Sequence, residues 1–305
     1  MDREISGVLI IDKPARATSH DVVAHVRRLL GIRQIGHFGT LDPFATGVLP
    51  LSVGKATRFA QFYLKSRKAY EGTMRLGFST DTYDATGKPT SEVAPVSVEA
   101  PELEKLFREF TGRLMQTPPA YSAKRIGGAR AYDLARQHKP VELAPVEVDV
   151  YAFELLGFEG ERARFAAECS GGTYVRSLAH DIGRKLGCGA HLEDLRRTAV
   201  AEFTLDRSVT LERLAEAIRE ERLPDCLVPL EALLPDCPEL VVRGREENSV
   251  RHGHRFELAQ TERFGRGRGR LQAVTLLKIM NPERRLIAVA RHVTGSIYHP
   301  DLVLV

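Results

Sequence analysis

Residues 36–50, with the sequence GHFGTLDPFATGVLP, constrain the fold more than any other part of this chain. They combine three glycines and two prolines with a single carboxylate, that of Asp42. Pro43 biases Asp42 toward an extended backbone, while the glycines allow turns that a side chain would block. The stretch therefore predicts a loop of fixed shape that holds one acid among apolar neighbours, with His37 as its only other ionisable group.

Asp42 has two interpretations. An aspartate before proline in a glycine-rich segment is most often a turn residue, whose carboxylate accepts hydrogen bonds from backbone amides. The alternative is a catalytic carboxylate that acts as a nucleophile or a base. Composition alone favours the turn, so the choice depends on the rest of the chain.

Apolar periodicity predicts the elements on either side of this loop. Residues 8–11 are four consecutive apolar residues, typical of a buried strand that leaves the sheet at Pro14. The spacing of the next apolar residues predicts a helix with Ser19 as N-cap and Gly31 as its stop. Residues 68–76 alternate as a strand, and residues 80–87 predict a polar turn.

The same signals organise the middle of the chain. They predict helices over residues 98–110, 173–186 and 210–220, and strands over residues 146–156, 162–169 and about 196–205. Thr173 is the predicted N-cap of the second of these helices. Residues 117–145 are rich in Lys, Arg, Gly and Tyr, which indicates a basic loop followed by a short helix.

A change of pattern divides the chain in two. Residues 229–238, PLEALLPDCP, contain three prolines and break both periodicities, as a linker does. Short strands are predicted at 271–279 and 285–293, with FGRGRGR at 264–270 as a hairpin arm. We therefore predict a main domain over residues 1–230 and a small β domain over residues 238–305.

Composition excludes several classes of protein. The chain has 305 residues, of which 43% are hydrophobic, and this suits a globular protein. No run approaches the roughly 20 apolar residues of a membrane span, and the start lacks the pattern of a signal peptide, so we expect a cytoplasmic protein. Neither zinc-site cysteine spacing nor a phosphate-binding P-loop is present, and the net charge of +4 fits a polyanionic partner.

Four blocks of the sequence resemble those of one enzyme family, and a fifth resembles its basic insertion. GHFGTLDPFATGVLP is similar to the signature GHxGTLDPxAxGVLP of the TruB-type pseudouridine synthases, and GVLIIDKP and CSGGTYVRSLAHDIG resemble two further family blocks. LRRTAVAEF resembles LRRTxxGxF, with Ala201 where glycine is usual. PPAYSAKRIGGARAYDLAR resembles the insertion, with Arg125 where lysine is usual.

This resemblance implies a fold and an activity. The fold would be mixed α/β: a pseudouridine synthase domain with a mixed, largely antiparallel sheet and flanking helices, followed by a PUA-like β-barrel that binds RNA. The enzyme would be a monomer that isomerises uridine 55 in the T loop of tRNA to pseudouridine. Family members need no metal, nucleotide or redox cofactor for this reaction, and no membrane is involved.

The resemblance also implies site residues. Asp42 would be the catalytic residue and would pair with Arg176, which the predicted helix places in its first turn, where the helix dipole disfavours a cation without an anionic partner. Tyr70 would stack on the target base, and its polar neighbours indicate a position on the rim of the site. The other substrate-binding residues would be Tyr174, Leu195 and His37, and the RNA-contacting residues would be Lys124, Arg125, Arg130 and Arg136.

Two alternatives remain open at this stage. The chain could be a non-catalytic RNA-binding module with the same fold, in which Asp42 is a turn residue. It could also be a synthase that acts on another RNA. For the individual residues, core packing of Tyr70 and Leu195 and a solvated position of the basic side chains are the competing structural interpretations.

Overall fold

The computed structural model describes residues 5–122, 124–126, 129–137, 143–258 and 275–304. The α-helices in these ranges are α1 Ser19–Leu30, α2 Ala60–Tyr63, α3 Ala100–Glu109, α4 Ala131–Arg136, α5 Val175–Leu186, α6 Leu211–Arg219, α7 Leu223–Cys226 and α8 Gly244–Arg251. None of them is long and apolar enough to cross a membrane.

The strands of the first part of the chain are β1 Gly7–Lys13, β2 Ile35–His37, β3 Thr46–Val53, β4 Lys68–Leu76, β5 Gly112–Gln116, β6 Arg125–Ile126, β7 Ala129–Arg130, β8 Val146–Glu159, β9 Arg162–Cys169, β10 Ala190–Val200, β11 Phe203–Thr204 and β12 Leu227–Val228. Those that follow are β13 Glu239–Val241, β14 Phe256–Glu257, β15 Leu276–Met280, β16 Leu286–Thr294 and β17 Ile297–Val303.

A ten-stranded sheet carries the first part of the chain, with its main path in the order β12-β1-β3-β10-β4-β9-β8-β5. Among the described strands, its pairings are antiparallel except for one, between β3 and β10. In that parallel pair Thr46 lies opposite Arg196 and Gly47 lies opposite Arg197. The predicted mixed, largely antiparallel sheet is confirmed, and the parallel pair places the end of the Asp42 loop beside the LRRT block.

Helices cover the sheet through continuous apolar contacts. Side chains of α3 and α5, including Phe107 and Ile182, pack with Met74 and Phe165 of the sheet, and all four are almost completely buried. Burial of each such side chain contributes roughly 1.5–3 kcal/mol. This packing fixes the position of α5 and with it that of Arg176, which lies in its first turn.

Two predicted N-caps, those of α1 and α5, are wrong by one residue. Thr18, and not Ser19, caps α1, in a reciprocal capping box with Asp21. Ser19 is free to bind the loop instead: its Oγ donates to the carbonyl of Leu41 at 3.0 Å and accepts the N–H of Leu41 at 2.9 Å. In α5 the N-cap position is Tyr174, and not Thr173.

In the part of the C-terminal region that the structure describes, five strands form a second sheet, in the order β13-β15-β16-β17-β14. The predicted strands at 271–279 and 285–293 are observed as β15 and β16, to the extent that the described residues cover them. The predicted arm at 264–270 lies outside the described residues. A small β domain of this kind fits the predicted PUA-like barrel.

The two sheets share one apolar cluster. Met280 and Leu286 of the C-terminal sheet belong to the same buried cluster as Val8, Phe38 and Val48. The predicted linker also packs at this junction, since the carbonyl of Glu231 accepts a hydrogen bond from Lys278 Nζ at 2.8 Å. The C-terminal part therefore stabilises the first part, including Phe38, which lies next to His37 at the start of the Asp42 loop.

Candidate active site

Asp42 and Arg176 form an ion pair at the N-terminus of α5. Nε of Arg176 lies 2.8 Å from Oδ2 of Asp42, and Nη2 donates a hydrogen bond to Oδ1 at 3.1 Å. The Arg176 side chain is only 5% exposed, whereas that of Asp42 is 33% exposed. The pairing implied by the family resemblance is present, and the carboxylate remains open to a ligand on one side.

The backbone of the loop is held independently of that carboxylate. The carbonyl of Pro43 accepts hydrogen bonds from the N–H of Arg16 at 2.7 Å and from Lys13 Nζ at 3.3 Å. Ser19 holds Leu41, as described above. Among the described residues, no backbone amide donates to the Asp42 carboxylate, so the ordinary turn interpretation does not describe this side chain.

Asp84 is a second carboxylate of the site, and the sequence analysis did not identify it. It is buried, and its Oδ2 lies 3.3 Å from Nη1 of Arg176. Its Oδ1 accepts hydrogen bonds from Thr82 Oγ1 at 2.8 Å and from the N–H of Thr86 at 3.0 Å. The only signal was an aspartate between two threonines in the predicted polar turn.

Arg176 organises three segments at once. Besides the two carboxylates, its Nη1 donates to the carbonyl of Thr82 at 2.9 Å and its Nη2 donates to the carbonyl of Tyr121 at 3.0 Å. The neighbouring Tyr83 has a left-handed φ of 62°, and its ring stacks on His180, one helical turn beyond Arg176, with centroids 3.8 Å apart. The turn and the start of the basic segment are thus docked on α5.

Opposing effects set the charge of Asp42. Burial among these loops raises the pKa of its carboxyl, and the Arg176 charge opposes that rise. The Asp84 charge raises the pKa of Asp42 further, because two like charges share the one guanidinium. Arg176, and to a lesser degree Lys13, therefore favours the ionised form required of a nucleophile or base.

Tyr70 is buried in the core next to the Asp42 loop, and the predicted position on the rim of the site is wrong. It is 7% exposed and packs in the main core cluster together with Leu195. Lys68 is on the same face of β4 and is also buried, with its Nζ donating to the carbonyl of Ser66 at 3.1 Å. The polar neighbours were a misleading signal, because the ammonium group of Lys68 donates hydrogen bonds to backbone carbonyls and can therefore be buried. Burial raises the pKa of Tyr70 to about 12, so its hydroxyl stays protonated at neutral pH.

Tyr174 lies at the start of α5, two residues before Arg176, and His37 lies at the end of β2. The N–H of Tyr174 donates to Gln116 Oε1 at 2.7 Å, and its carbonyl accepts from Gln116 Nε2 at 3.1 Å, which ties the start of α5 to β5. Nδ1 of His37 accepts the N–H of Gly39 at 3.2 Å. Burial lowers the pKa of His37, so its ring is neutral at neutral pH.

Comparison with known proteins identifies the family. Residues 27–175 match the model of the TruB family pseudouridylate synthase N-terminal domain, and residues 176–235 match that of the tRNA pseudouridylate synthase B C-terminal domain. The chain belongs to the TruB family. It is accordingly an RNA pseudouridine synthase, an isomerase, and the non-catalytic alternative is set aside.

Relatives in the TruB family align over most of the chain. The tRNA pseudouridine synthase B of Solibacter usitatus is 47% identical over 300 residues, which cover 98% of this chain and 100% of the relative. That of Aquifex aeolicus is 43% identical over 83% of this chain and 87% of the relative.

A solved structure of the same fold confirms the architecture. A chain of a Cbf5-Nop10-Gar1 complex is 27% identical, with a TM-score of 0.72 over 98% of this chain and 85% of that chain. The predicted combination of a pseudouridine synthase domain and a small C-terminal β domain is therefore correct.

The basic insertion of this TruB enzyme is described in part. The carbonyl of Lys124 accepts the N–H of Ala131 at 2.7 Å, and the Lys124 side chain is half-buried. The side chains of Arg125, Arg130 and Arg136 lie outside the described part of the structure. Their contact with RNA stays a prediction.

Arg197 is a further site residue that the sequence analysis missed. Its side chain is completely buried. Nε donates to the carbonyl of Val48 at 2.7 Å, Nη1 to that of Thr40 at 3.2 Å, and Nη2 to that of Gly39 at 3.1 Å. The available signal was the alternation of side chains between the two faces of a strand. In β10 it places Arg197 on the same inward face as Leu195.

Proposed function

We propose that this enzyme converts uridine 55 in the T loop of tRNA to pseudouridine, with Asp42 as its catalytic carboxylate. The observation that carries the proposal is the geometry of Asp42. It is partly exposed on one side, fixed by the buried Arg176 on the other, and held in a loop whose backbone bonds are made elsewhere. The tRNA substrate is supported by the relatives named tRNA pseudouridine synthase B.

The reaction is an isomerisation that leaves the composition of the nucleotide unchanged. The bond between N1 of uracil and C1′ of ribose breaks, the base rotates, and C5 bonds to C1′, while the proton on C5 is lost and N1 gains one. An ionised carboxylate can serve this reaction by attack on the sugar, by addition to the base or by proton abstraction. Each of these routes requires Asp42 to be ionised and aimed, which Arg176 promotes.

The other site residues have proposed roles toward the extruded uridine. Tyr70 provides the ring on which the base stacks, and Leu195 lies in the same cluster as part of the pocket wall. Tyr174 completes the pocket, and the neutral His37 holds the flipped-out loop nucleotides. The residues that bind phosphates of the T arm are Lys124, Arg125, Arg130 and Arg136.

The conservative test is Asp42→Asn. Size is preserved, but asparagine cannot act as an ionised nucleophile or base. We expect the variant to bind an unmodified tRNA transcript about as tightly as the wild type and to form no pseudouridine at long times with excess enzyme. Melting temperatures checked beforehand separate a failure to fold from a failure of catalysis, since Arg176 is left with Asp84 as its carboxylate partner.

Asp181→Asn is the matched control. Asp181 lies on α5 beyond Arg176 and pairs with Arg184 at 3.3 Å, so this substitution should leave turnover unchanged. A folded Asp42→Asn variant with normal single-turnover activity would overturn the catalytic assignment. Pseudouridine formed in a transcript that carries cytidine at position 55 would instead overturn the assigned position.

A further inference from the structure

Arg197 connects the two halves of the proposed active site. In the register of the sheet it lies between Gly47 of β3, which ends the Asp42 loop, and Tyr70 of β4. Its guanidinium binds the carbonyls of Gly39 and Thr40 before Asp42 and that of Val48 after it. One side chain therefore holds the loop on both sides of the catalytic carboxylate and borders the strand that carries the tyrosine.

The backbone of the loop is shaped to fit against Arg197. Gly47 has φ of +99°, and a Cβ built on it would lie 2.2 Å from the carbonyl oxygen of Arg197. Such a distance is far inside van der Waals contact, so position 47 accepts no side chain unless the loop moves. The close approach lets the guanidinium reach all three carbonyls.

A purely structural role does not account for Arg197, because burial of its charge lowers the stability of the fold. Among the described side chains it forms no ion pair, and the hydrogen bonds of its guanidinium to the loop go to neutral carbonyls. A buried charge without a counter-charge costs free energy that well-packed apolar residues would not. By contrast, the adjacent Arg196 is 38% exposed and pairs with Asp12 at 2.7 Å.

We propose that Arg197 is a positioning residue that fixes the Asp42 loop relative to the Tyr70 ring. This inference rests on the proposed roles of Asp42 and Tyr70. The planar guanidinium is suited to the task, because its Nε and both Nη atoms donate in fixed directions within one plane. A lysine at this position would carry the charge but could not reproduce this rigid fork.

The test compares Arg197→Lys, Arg197→Gln and the control Arg196→Lys. Single-turnover rates are measured at saturating tRNA transcript, dissociation constants by filter binding, and melting temperatures by calorimetry. A small misplacement of a reacting group can lower the rate on the order of 100-fold. We therefore expect Arg197→Lys to lose at least about tenfold in rate, with its dissociation constant within about threefold of wild type. Arg196→Lys should match the wild type.

A slower rate with unchanged tRNA affinity indicates a loss of positioning. General destabilisation would instead lower the fraction of active protein without slowing the enzyme that remains folded. If both Arg197 variants melt below the assay temperature, Gly47→Ala pushes the loop away from the Arg197 backbone while the guanidinium is retained, and should give the same slow, tightly binding enzyme. A wild-type rate in a folded Arg197→Lys, or in Gly47→Ala when neither Arg197 variant folds, would overturn the inference. The Asp42→Asn result stands separately: an active Asp42→Asn would remove the proposed function itself.

Discussion

Arg176 Nη1 lies 3.3 Å from Oδ2 of Asp84, while Nε and Nη2 of the same guanidinium face Asp42. The two carboxylates thus compete for one buried cation, and they differ in exposure, since the Asp84 side chain is only 5% exposed. Asp84 is also bound by Thr82 and Thr86. It is suited to holding Arg176 in place, and Asp42 is left as the carboxylate that a substrate can reach.

The first prediction concerns Asp84→Asn. Asparagine keeps an oxygen for the bonds from Thr82 and Thr86, but it replaces the charged partner of Arg176 with a neutral amide. We expect tRNA affinity to change by less than about threefold and the single-turnover rate to fall at least about tenfold, because Arg176 loses an anchor. Rapid-quench assays beside the Asp181→Asn control measure this. An unchanged rate in the folded variant would show that Asp84 does not position Arg176.

The second prediction is the pH dependence of the rate. Burial raises the pKa of Asp42, and the proposed mechanism needs its ionised form, so the rate should fall as the pH drops through this raised pKa. The acid limb should therefore lie above the pKa of about 3.9 of an ordinary aspartate. Since the Asp84 charge raises the pKa of Asp42, Asp84→Asn should move the limb to lower pH. A limb that stays in place or moves to higher pH in that variant contradicts this assignment.

The sequence predicted the loop around Asp42 and several of the neighbouring strands because their signals are local, but it did not predict that β3 begins at Thr46, inside the stretch 36–50. Glycines, Pro43 and apolar alternation act over a few residues, and β4 and β9 were predicted with the bounds observed. The capping error at Ser19 was also local, because two hydroxyl residues are adjacent. The capping box of Thr18 with Asp21 and the bonds from Ser19 to Leu41 decide between them.

The roles of Asp84 and Arg197 were not predicted, for a different reason. Asp84 looks like a turn residue until the turn docks on α5, and Arg197 looks like half of a basic pair until the parallel pairing of β3 with β10 places it beside Gly47. Both roles depend on contacts between segments more than 90 residues apart. The burial of Tyr70 has the same origin, because its polar neighbour Lys68 faces inward toward carbonyls of the preceding turn.

The third prediction separates the ring of Tyr70 from its hydroxyl. Tyr70→Phe keeps the buried ring, so RNA binding and folding should be preserved, and any loss of rate reports on the protonated hydroxyl. Tyr70→Leu removes the stacking surface, a contact typically worth about 1–3 kcal/mol, and should lower both affinity and turnover. Binding and single-turnover assays on folded protein check this. Wild-type turnover by Tyr70→Leu would show that Tyr70 is a core tyrosine only.

The fourth prediction concerns the arginine-rich stretch at 264–270, which together with Arg263 lies outside the described residues. Its sequence offers no candidate catalytic group but concentrates four arginines, Arg263, Arg266, Arg268 and Arg270. Deletion of residues 238–305 would be a poor test, because Met280 and Leu286 share a cluster with Phe38 and Val48 and their removal would expose that core. Replacing the four arginines by glutamine leaves the packed residues unchanged.

For this glutamine variant we expect weaker tRNA binding, with the slope of log K against log salt reduced by up to about 0.7–0.9 for each phosphate that the protein no longer neutralises. The single-turnover rate at saturating tRNA should stay within about twofold of wild type, since affinity and not chemistry is altered. A four-lysine variant is the control, because it keeps the charge and should keep the salt dependence. An unchanged salt slope in the glutamine variant, or a rate that falls at saturation, would contradict the assignment of this stretch to RNA affinity.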